Sequence, residues 1–313
     1  MRPQNLIVLL ALGAAPIAAS AASGDEAESA PRFGRIGLAG QPEPSGADAQ
    51  PPGQQPDAPA QAPASGGAQY DSGDLARKLQ NPVSDLISVP LQWNLDLNQG
   101  PDDAGYRATL NIQPVIPISL DQEWNLITRT IVPVIYQERV SGDGSDFGLG
   151  DTVASQFFSP KAPGPGGIIW GVGPVELLPT GTDKQIRSET LGLGPTGVLL
   201  RQEGPWTYGA LANHIWAVAG GEGDGRPAVN QTFIQPFVSY TFPDTTSFTL
   251  NSESTYDWAN EQWTIPVNAM ANRIFSFRGQ PISAQVGGRY YFDGPSGAPE
   301  WGVRFTITLL FPK

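Results

Sequence analysis

Long runs in which apolar and polar residues alternate dominate the chain from about residue 84 to its end. In the last run, Trp301, Val303, Phe305, Ile307, Leu309 and Phe311 alternate with Gly302, Arg304, Thr306, Thr308 and Leu310. Successive side chains of a β-strand point to opposite faces of its sheet, so this run predicts a strand with one apolar and one mostly polar face. A soluble β-sandwich shows the same alternation. The length of the runs therefore has to decide between a soluble sandwich and a sheet that crosses a membrane.

The runs are longer than the strands of most soluble proteins, at about 10 to 15 residues each. Soluble strands usually have about 5 to 6 residues, whereas a tilted strand needs about 9 to 11 residues to cross a bilayer. Aromatic residues also lie near the ends of the apolar faces, as Trp124 and Tyr136 do in one run. Both features favour an antiparallel transmembrane β-barrel with an apolar outer face and a polar interior. The chain is therefore expected in the outer membrane of a Gram-negative cell, in contact with outer-membrane lipid.

About twelve such runs are present, so the predicted fold is all-β, a transmembrane β-barrel of about 12 strands. The runs span 85–97, 105–118, 123–137, 147–159, 167–178, 190–201, 205–218, 229–242, 246–256, 261–274, 281–292 and 300–311. An even number of strands places both chain ends on the periplasmic side, which makes 138–146 and 219–228 external loops. These two loops hold the acidic, glycine-rich tracts SGDGSD and GGEGDG, whereas most connections at the other end are short.

Prolines in the middle of the predicted strands conflict with a simple barrel. They are Pro114, Pro133, Pro174, Pro195, Pro236 and Pro266. Proline donates no backbone hydrogen bond, and a closed barrel has no free edge on which such a residue would be tolerated. We therefore expect these prolines to mark β-bulges or bends in the barrel wall.

The N-terminus has the features of a secretory signal peptide. Arg2 supplies a positive charge, residues 6–15 form a short apolar segment, and Ala19-Ser20-Ala21 is a small-residue cleavage site. These features predict a signal peptide over 1–21 and an exported mature protein.

Between the signal peptide and the barrel, residues 22–70 are rich in Ala, Pro and Gln and contain few large apolar residues. Such a segment cannot bury enough surface to fold, so a disordered linker is predicted. Two roles are left open for this linker: a spacer, or a segment that binds peptidoglycan or a periplasmic partner. The barrel domain is placed at 71–313, with a short helix possible at 72–80 and Ser72 or Asp74 as its N-cap.

The composition excludes several functional classes. The chain has no Cys and one His, so thiolate metal sites, cysteine nucleophiles and multi-histidine metal sites are excluded, and neither a metal nor a cofactor is expected. Its net charge of −12 argues against nucleic-acid binding. After residue 22, no run of about 18 apolar residues occurs, which excludes an α-helical membrane protein.

Polar residues on the inward faces of the predicted strands define the candidate functional site, a narrow lumen. The residues expected to line it and to set its selectivity are Arg107, Asn111, Arg129, Glu253, Gln285, Arg289 and Arg304. The four arginines come from strands that become neighbours on closure, so they predict one basic wall that favours anionic or phenolate-like solutes. The alternative, that they pair with Asp96, Asp293 or Glu253 and merely fill the lumen, is left open.

A second hypothesis is an outer-membrane enzyme, such as a phospholipase-like barrel with a Ser-His-Asn site. His214 is the only available imidazole base, and Ser239, Ser252 and Ser254 lie on the next predicted strands outside any recognisable nucleophile motif. We therefore expect no enzymatic activity and interpret His214 and Trp216 as possible ligand contacts. A plugged structural barrel is the third hypothesis.

Several segments resemble a known family of bacterial outer-membrane proteins. They include NPVSDLISVPLQWN, TLNIQPVIPISL, WNLITRTIVPVI, GPWTYGALANHIWAVAG and the terminal TLLFPK. Over about 75–313 the chain is similar to the "MetA-pathway of phenol degradation" transporter family. The resemblance implies an outer-membrane β-barrel that takes up small solutes, among them aromatic or hydrophobic compounds. As a barrel it would meet the barrel assembly machinery during biogenesis, although Phe311 is followed by Pro312-Lys313 where many such proteins end on an aromatic residue.

Overall fold

The computed structural model describes residues 71–221 and 228–312. The predicted signal peptide over 1–21 and linker over 22–70 lie outside the described residues. Within the described part, the chain forms one α-helix, one short 3-10 turn and a single large antiparallel sheet. No helix in this part is long and apolar enough to cross a membrane.

The strands follow the predicted runs closely. Helix α1 is Ser72–Leu79, and the 3-10 turn is Pro165–Gly167. The strands are β1 Ile87–Gln99, β2 Gly105–Ile112, β3 Val115–Ser119, β4 Trp124–Glu138, β5 Ser145–Leu149, β6 Thr152–Pro160, β7 Ile168–Leu178, β8 Thr190–Glu203, β9 Trp206–Gly220, β10 Asn230–Thr241, β11 Thr246–Ser252, β12 Ser254–Asp257, β13 Gln262–Phe277, β14 Gln280–Asp293 and β15 Trp301–Phe311.

The sheet closes on itself. The first strand, β1, pairs with the last, β15, from Ile87 opposite Phe311 to Leu97 opposite Trp301. The pairs β2 and β3, β5 and β6, and β11 and β12 are each two segments of one wall strand, because each pair lies along the same neighbouring strand. The fifteen segments therefore make twelve wall strands, which confirms the predicted barrel. Both ends of the described barrel lie at the same rim, the periplasmic one by the rule for bacterial barrels.

The mid-strand prolines lie where the ladder of backbone hydrogen bonds is interrupted. Pro114 separates β2 from β3, and Pro133 of β4 faces the break between β5 and β6. Pro174 of β7 stands opposite Pro195 of β8, and residues next to this pair leave gaps in the neighbouring ladders. The wall is thus irregular where the sequence predicts bulges or bends.

The remaining two prolines flank a single break. Pro236 of β10 lies beside the interruption between β11 and β12, and Pro266 of β13 lies at a register shift on its other side. Glu253 is the residue left between β11 and β12, and its backbone N–H donates to the Pro266 carbonyl at 3.2 Å. This break therefore sets the position of a charged side chain.

The outer face carries a band of exposed apolar side chains between two belts of aromatic residues. Trp124 contacts Trp170 and Trp206 contacts Tyr240 near the periplasmic rim, while Tyr106 contacts Tyr136 and Tyr256 contacts Trp258 near the opposite rim. Between the belts, side chains such as Val172, Leu199 and Phe305 are exposed. An exposed apolar band on a closed barrel is stable only in lipid, and it places this chain in the outer membrane.

Helix α1 lies inside the periplasmic end of the barrel. Its buried Leu75 and Ala76 pack with Leu86 against Ile274 and Leu310, which point inward from β13 and β15. Leu310 is the apolar exception on the polar face of the last run, and its contact with the helix explains it. The barrel is therefore partly filled by a segment that precedes its first strand.

The N-cap of α1 differs from the expected one. The cap is Asp71 rather than Ser72 or Asp74, and its Oδ1 accepts the N–H of Gly73 at 2.8 Å. Asp71 has an extended backbone conformation, which an N-cap requires, whereas Ser72 and Asp74 already lie within the helix. The helix ends one residue before the predicted boundary, ahead of Asn81-Pro82.

Candidate functional site in the barrel lumen

Glu253 is the centre of a buried ion-pair network in the lumen. Arg304 donates two hydrogen bonds to its carboxylate, at 2.8 and 2.7 Å, and Arg289 donates a third at 3.1 Å. The side chains of Arg304, Arg289 and Glu253 are 3%, 9% and 19% exposed. Such buried charges are tolerated because they are paired and hydrogen-bonded, and removing one partner leaves an uncompensated charge.

Asp96 of β1 extends the network across the seam where the barrel closes. Arg289 donates to its two carboxylate oxygens at 3.3 and 3.4 Å, and the Tyr291 hydroxyl donates to Oδ1 at 3.1 Å. Arg304 donates from Nε to Oδ1 of the neighbouring Asn94 at 2.7 Å. These contacts join β1, β14 and β15 to the break between β11 and β12.

The ion-pairing alternative left open by the sequence holds for two of the four arginines. Arg289 and Arg304 pair with Asp96 and Glu253, two of the three carboxylates considered. Asp293, the third, is exposed and instead accepts the backbone N–H of Gly294.

Arg107 and Arg129 form no salt bridge within the described residues. Arg107 donates from Nε to Oε1 of Gln137 at 2.9 Å, and Arg129 donates from Nη2 to Oε1 of Gln113 at 2.8 Å. Both acceptors are neutral amides. The four arginines of the lumen therefore outnumber the two carboxylates that pair with them directly. A third carboxylate, Asp146, is linked to Arg107 through Gln137, which donates to it at 2.9 Å.

A cavity of about 230 Å³ lies in the lumen next to this network. Its polar side includes Arg129, Gln113, Glu253, Gln285 and Arg304, and its apolar side includes Val115, Leu211, Phe237 and Met270. Residues 78–82, Ser84 and Leu86, from α1 and the segment that follows it, close the cavity toward the periplasm. A larger cavity of about 1160 Å³ lies beside α1 at the periplasmic mouth, between Arg77, Lys78 and wall residues such as Lys161.

The remaining predicted lumen residues lie at different depths. Gln285 lines the cavity and accepts the hydroxyl of Thr306 at 3.3 Å. Asn111 is half-buried on β2, on the same side of the strand as Arg107. The structure therefore brings Glu253, Arg289 and Arg304 into contact and places Arg129 and Gln285 at the same cavity.

One half of the lumen is apolar, which the sequence analysis missed. Val83 of the segment after α1 packs with a cluster of inward-facing side chains from β4, β6, β8 and β9. These are Ile127, Phe157, Val198, Leu200 and Leu211. The lumen is therefore not uniformly polar as expected. A signal was present in the sequence, because adjacent apolar residues such as Phe157 and Phe158 break the alternation where both faces of a strand are apolar.

His214 and Trp216 lie on the outer face of β9, away from the lumen cavity. Both alternate with the inward-facing Leu211 and Ile215, and Trp216 is exposed. The His214 ring lies 4.1 Å from that of Trp216, and its Nδ1 lies 2.7 Å from the Thr232 hydroxyl. These two residues belong to the outer wall of the barrel, and their contact with a ligand stays a prediction.

The serines considered as nucleophiles lie elsewhere. Ser239 points into the barrel and donates to Gln80 at 2.9 Å, and Ser252 lies 2.7 Å from the hydroxyl of Ser254. The hydroxyl that contacts His214 belongs to Thr232. No group of three or more His, Asp or Glu side chains within the described part could hold a metal ion.

Comparisons with known proteins identify the fold. No family model matches the chain, and no curated protein matches it. Among solved structures, the COG4313 outer membrane channel from Pseudomonas putida F1 aligns with a TM-score of 0.57 at 13% identity, covering 72% of this chain and 96% of that one. Outer membrane phospholipase A from Escherichia coli aligns with a TM-score of 0.40 at 12% identity, covering 78% of this chain and 99% of that one.

At these identities the likeness concerns the fold. The likeness to the COG4313 channel agrees with the closed barrel described above. The chain is an outer-membrane β-barrel.

Proposed function

We propose that this barrel is an outer-membrane channel through which small molecules pass. The observation that carries the proposal is the lumen, which contains a cavity of about 230 Å³ beside the arginine wall and one of about 1160 Å³ at the periplasmic mouth. A barrel whose interior served only as a packed core would be filled by side chains.

The solutes that we propose are aromatic or hydrophobic compounds of small size. The apolar half of the lumen around Phe157, Leu211 and Phe237 supports this proposal, because it offers a surface that a purely polar solute would not use. The sequence resemblance to the phenol-degradation transporter family points the same way, and membership in that family stays a prediction.

The contacts of α1 with the wall determine the path by which a solute would leave the lumen toward the periplasm. Besides its apolar packing, the helix and the residue after it are held by a hydrogen bond from Gln202 to the Arg77 carbonyl at 2.9 Å and by the contact of Gln80 with Ser239. The larger cavity lies beside the helix. We therefore propose that solutes leave past α1 on the side of this cavity.

A plugged structural barrel is the second candidate, and the position of α1 inside the lumen favours it. The two candidates differ in a measurable way, because a plugged barrel passes no current. Single-channel recordings and liposome swelling on the full-length protein, with phenol and benzoate as test solutes, separate them.

Two neighbouring residues on β10 provide a matched pair of variants for this test. Gln235 lines the lumen cavity, whereas Ile234 is exposed on the outer face. Gln235→Trp is expected to lower conductance and swelling rates at least several-fold, because the indole would occupy the lumen cavity of about 230 Å³ that Gln235 lines. Ile234→Trp adds an aromatic residue facing lipid and is expected to leave both unchanged. Absence of current and swelling in the wild-type protein would refute the channel.

A further inference from the structure

Arg129 is a lumen arginine whose donors are mostly unused. Its guanidinium has five N–H donors. Among the described residues, its one hydrogen-bond partner is the neutral Gln113. Arg129 faces inward from β4, between Val115 on β3 and Ser155 on β6 in the register of the wall.

The nearest acid network is already committed to other arginines. Both oxygens of Glu253 accept hydrogen bonds from Arg304, and one also accepts from Arg289. Asp96 is engaged by Arg289 and Tyr291. A charge removed from water needs a counter-charge. Glu253 shares the cavity with Arg129 and attracts it, but the hydrogen bonds that its carboxylate accepts from arginines come from Arg304 and Arg289.

The cavity at Arg129 has room for a small aromatic molecule. A protein cavity of about 150 Å³ is sufficient for benzene. The lumen cavity is larger, at about 230 Å³, and leaves room for an acidic substituent. Its amide groups, from Gln113, Gln235 and Gln285, offer further hydrogen-bond donors on the polar side.

The two sides of the cavity differ in chemistry. Arg129 lies on the polar side, while Val115, Leu211 and Phe237 supply apolar surface. A planar carboxylate matches the fork of a guanidinium, which donates two parallel hydrogen bonds to it. An apolar ring attached to that carboxylate would lie against the apolar side. A small inorganic anion would gain only the first contact, and a neutral aromatic compound only the second.

We propose that the lumen cavity is a binding site for small aromatic carboxylates, with the carboxylate on Arg129 and the ring against Leu211 and Phe237. The proposal rests on the proposed channel function and names the class of solute that this cavity recognises.

The test is equilibrium binding of benzoate to the full-length protein refolded in detergent, measured by calorimetry. Benzoate is expected to bind the wild-type protein more tightly than acetate, which lacks the ring, or benzyl alcohol, which lacks the charge. Arg129→Gln is expected to weaken benzoate binding at least tenfold, a change of about 1.4 kcal/mol. Arg201→Gln removes the same charge from an exposed arginine on β8 and is expected to leave binding unchanged.

A further variant controls for loss of binding that is caused by misfolding. Arg129→Lys keeps the positive charge and loses the planar fork, so it is expected to bind benzoate with an affinity between those of the wild type and Arg129→Gln. The shift in gel mobility on heating identifies the folded barrel in each sample. Equal benzoate affinity of folded wild-type protein and folded Arg129→Gln or Arg129→Lys would overturn the proposal, as would equal affinities for benzoate and acetate.

The binding site and the channel can be refuted independently of each other. Current without benzoate binding would overturn the carboxylate site and leave the channel standing. Benzoate binding that depends on Arg129, in a barrel that passes neither current nor solute, would support the site and refute the channel.

Discussion

The ion-pair network around Glu253 leads to a quantitative prediction about stability. Glu253→Gln replaces a carboxylate that accepts three hydrogen bonds from two arginines with a neutral amide of the same shape. Removing one partner of a buried ion pair typically costs about 3 to 5 kcal/mol. The amide oxygen still accepts some of these hydrogen bonds, and Asp96 still pairs with Arg289. We therefore expect the lower end of that range, about 3 kcal/mol of unfolding free energy.

The assay is equilibrium unfolding in urea from lipid vesicles, followed by the fluorescence of the 8 tryptophans. Glu203→Gln is the matched control, because Glu203 pairs with Arg201 at 3.5 Å where the side chains are 61% and 45% exposed. An exposed pair of this kind contributes less than about 1 kcal/mol. If Glu253→Gln lowers the free energy of unfolding no more than Glu203→Gln does, the network does not stabilise the barrel in the way that its geometry implies.

The same substitution also changes the charge of the lumen. It removes one of the two carboxylates that face the four arginines, so we expect the reversal potential in a salt gradient to shift toward anion selectivity. A shift toward cations, or none in a barrel that conducts, would show that ions do not pass close to the network.

Three further predictions concern the wall, a turn and the helix. Gly194→Ala places a Cβ 1.7 Å from the His214 carbonyl oxygen and should prevent folding or lower stability strongly. Gly288→Ala is the control, because its Cβ meets nothing within 4 Å and should be tolerated. The fraction of folded barrel in each variant is measured by the shift in gel mobility on heating. At the 242–245 turn, hydrogen bonds from Thr246 lower the pKa of Asp244 below its ordinary value of 3.8. The ionised Asp244 therefore stabilises the folded state above pH 3.8, and this stabilisation is lost as the pH falls through the lower pKa of the folded state. Asp244→Asn should flatten the acid side of a plot of unfolding free energy against pH. An unchanged plot would contradict the prediction. Asp71→Ala removes the N-cap of α1 and should destabilise the helix by about 1 kcal/mol. This loss is measured as faster proteolysis at α1 than in the wild type. Equal rates of proteolysis would argue against the cap.

The strands could be predicted from the sequence because alternation reports directly which side chains share a face. The predicted run 190–201 became Thr190–Glu203, and 300–311 became Trp301–Phe311. Inward-facing polar residues such as Arg289 and Arg304 were identified by the same rule, since a lipid-facing position would not hold them. The sequence also predicts that the arginines of the last strands lie near those of the first strands, because closing a barrel of twelve strands pairs the first strand with the last.

The contents of the lumen could not be predicted in the same way. Whether Phe157 or Phe158 faces inward depends on the register at a broken ladder, and the presence of Val83 among the inward apolar residues depends on where the segment after α1 folds back. Alternation carries no information on either point. His214 is interpreted from the sequence as a possible ligand contact, and the structure places it on the outer wall beside Thr232, whose hydroxyl also accepts a hydrogen bond from Trp258. Contact of His214 with a ligand stays a prediction.

Three of the six mid-strand prolines, Pro133, Pro236 and Pro266, lie at breaks in the wall that are occupied by a carboxylate. Glu253 lies at the break beside Pro236 and Pro266, and Asp151 lies at the break opposite Pro133. Asp151 accepts the backbone N–H of Gly181 at 2.9 Å and that of Ser188 at 2.6 Å, which fastens the loop 179–189 to the wall. A residue left unpaired at a break is free of the constraint that holds its neighbours in the ladder, so its side chain can be redirected. At these two breaks the interrupted ladder lets a carboxylate reach beyond its own strand, to the arginines of the lumen in one case and to the loop 179–189 in the other.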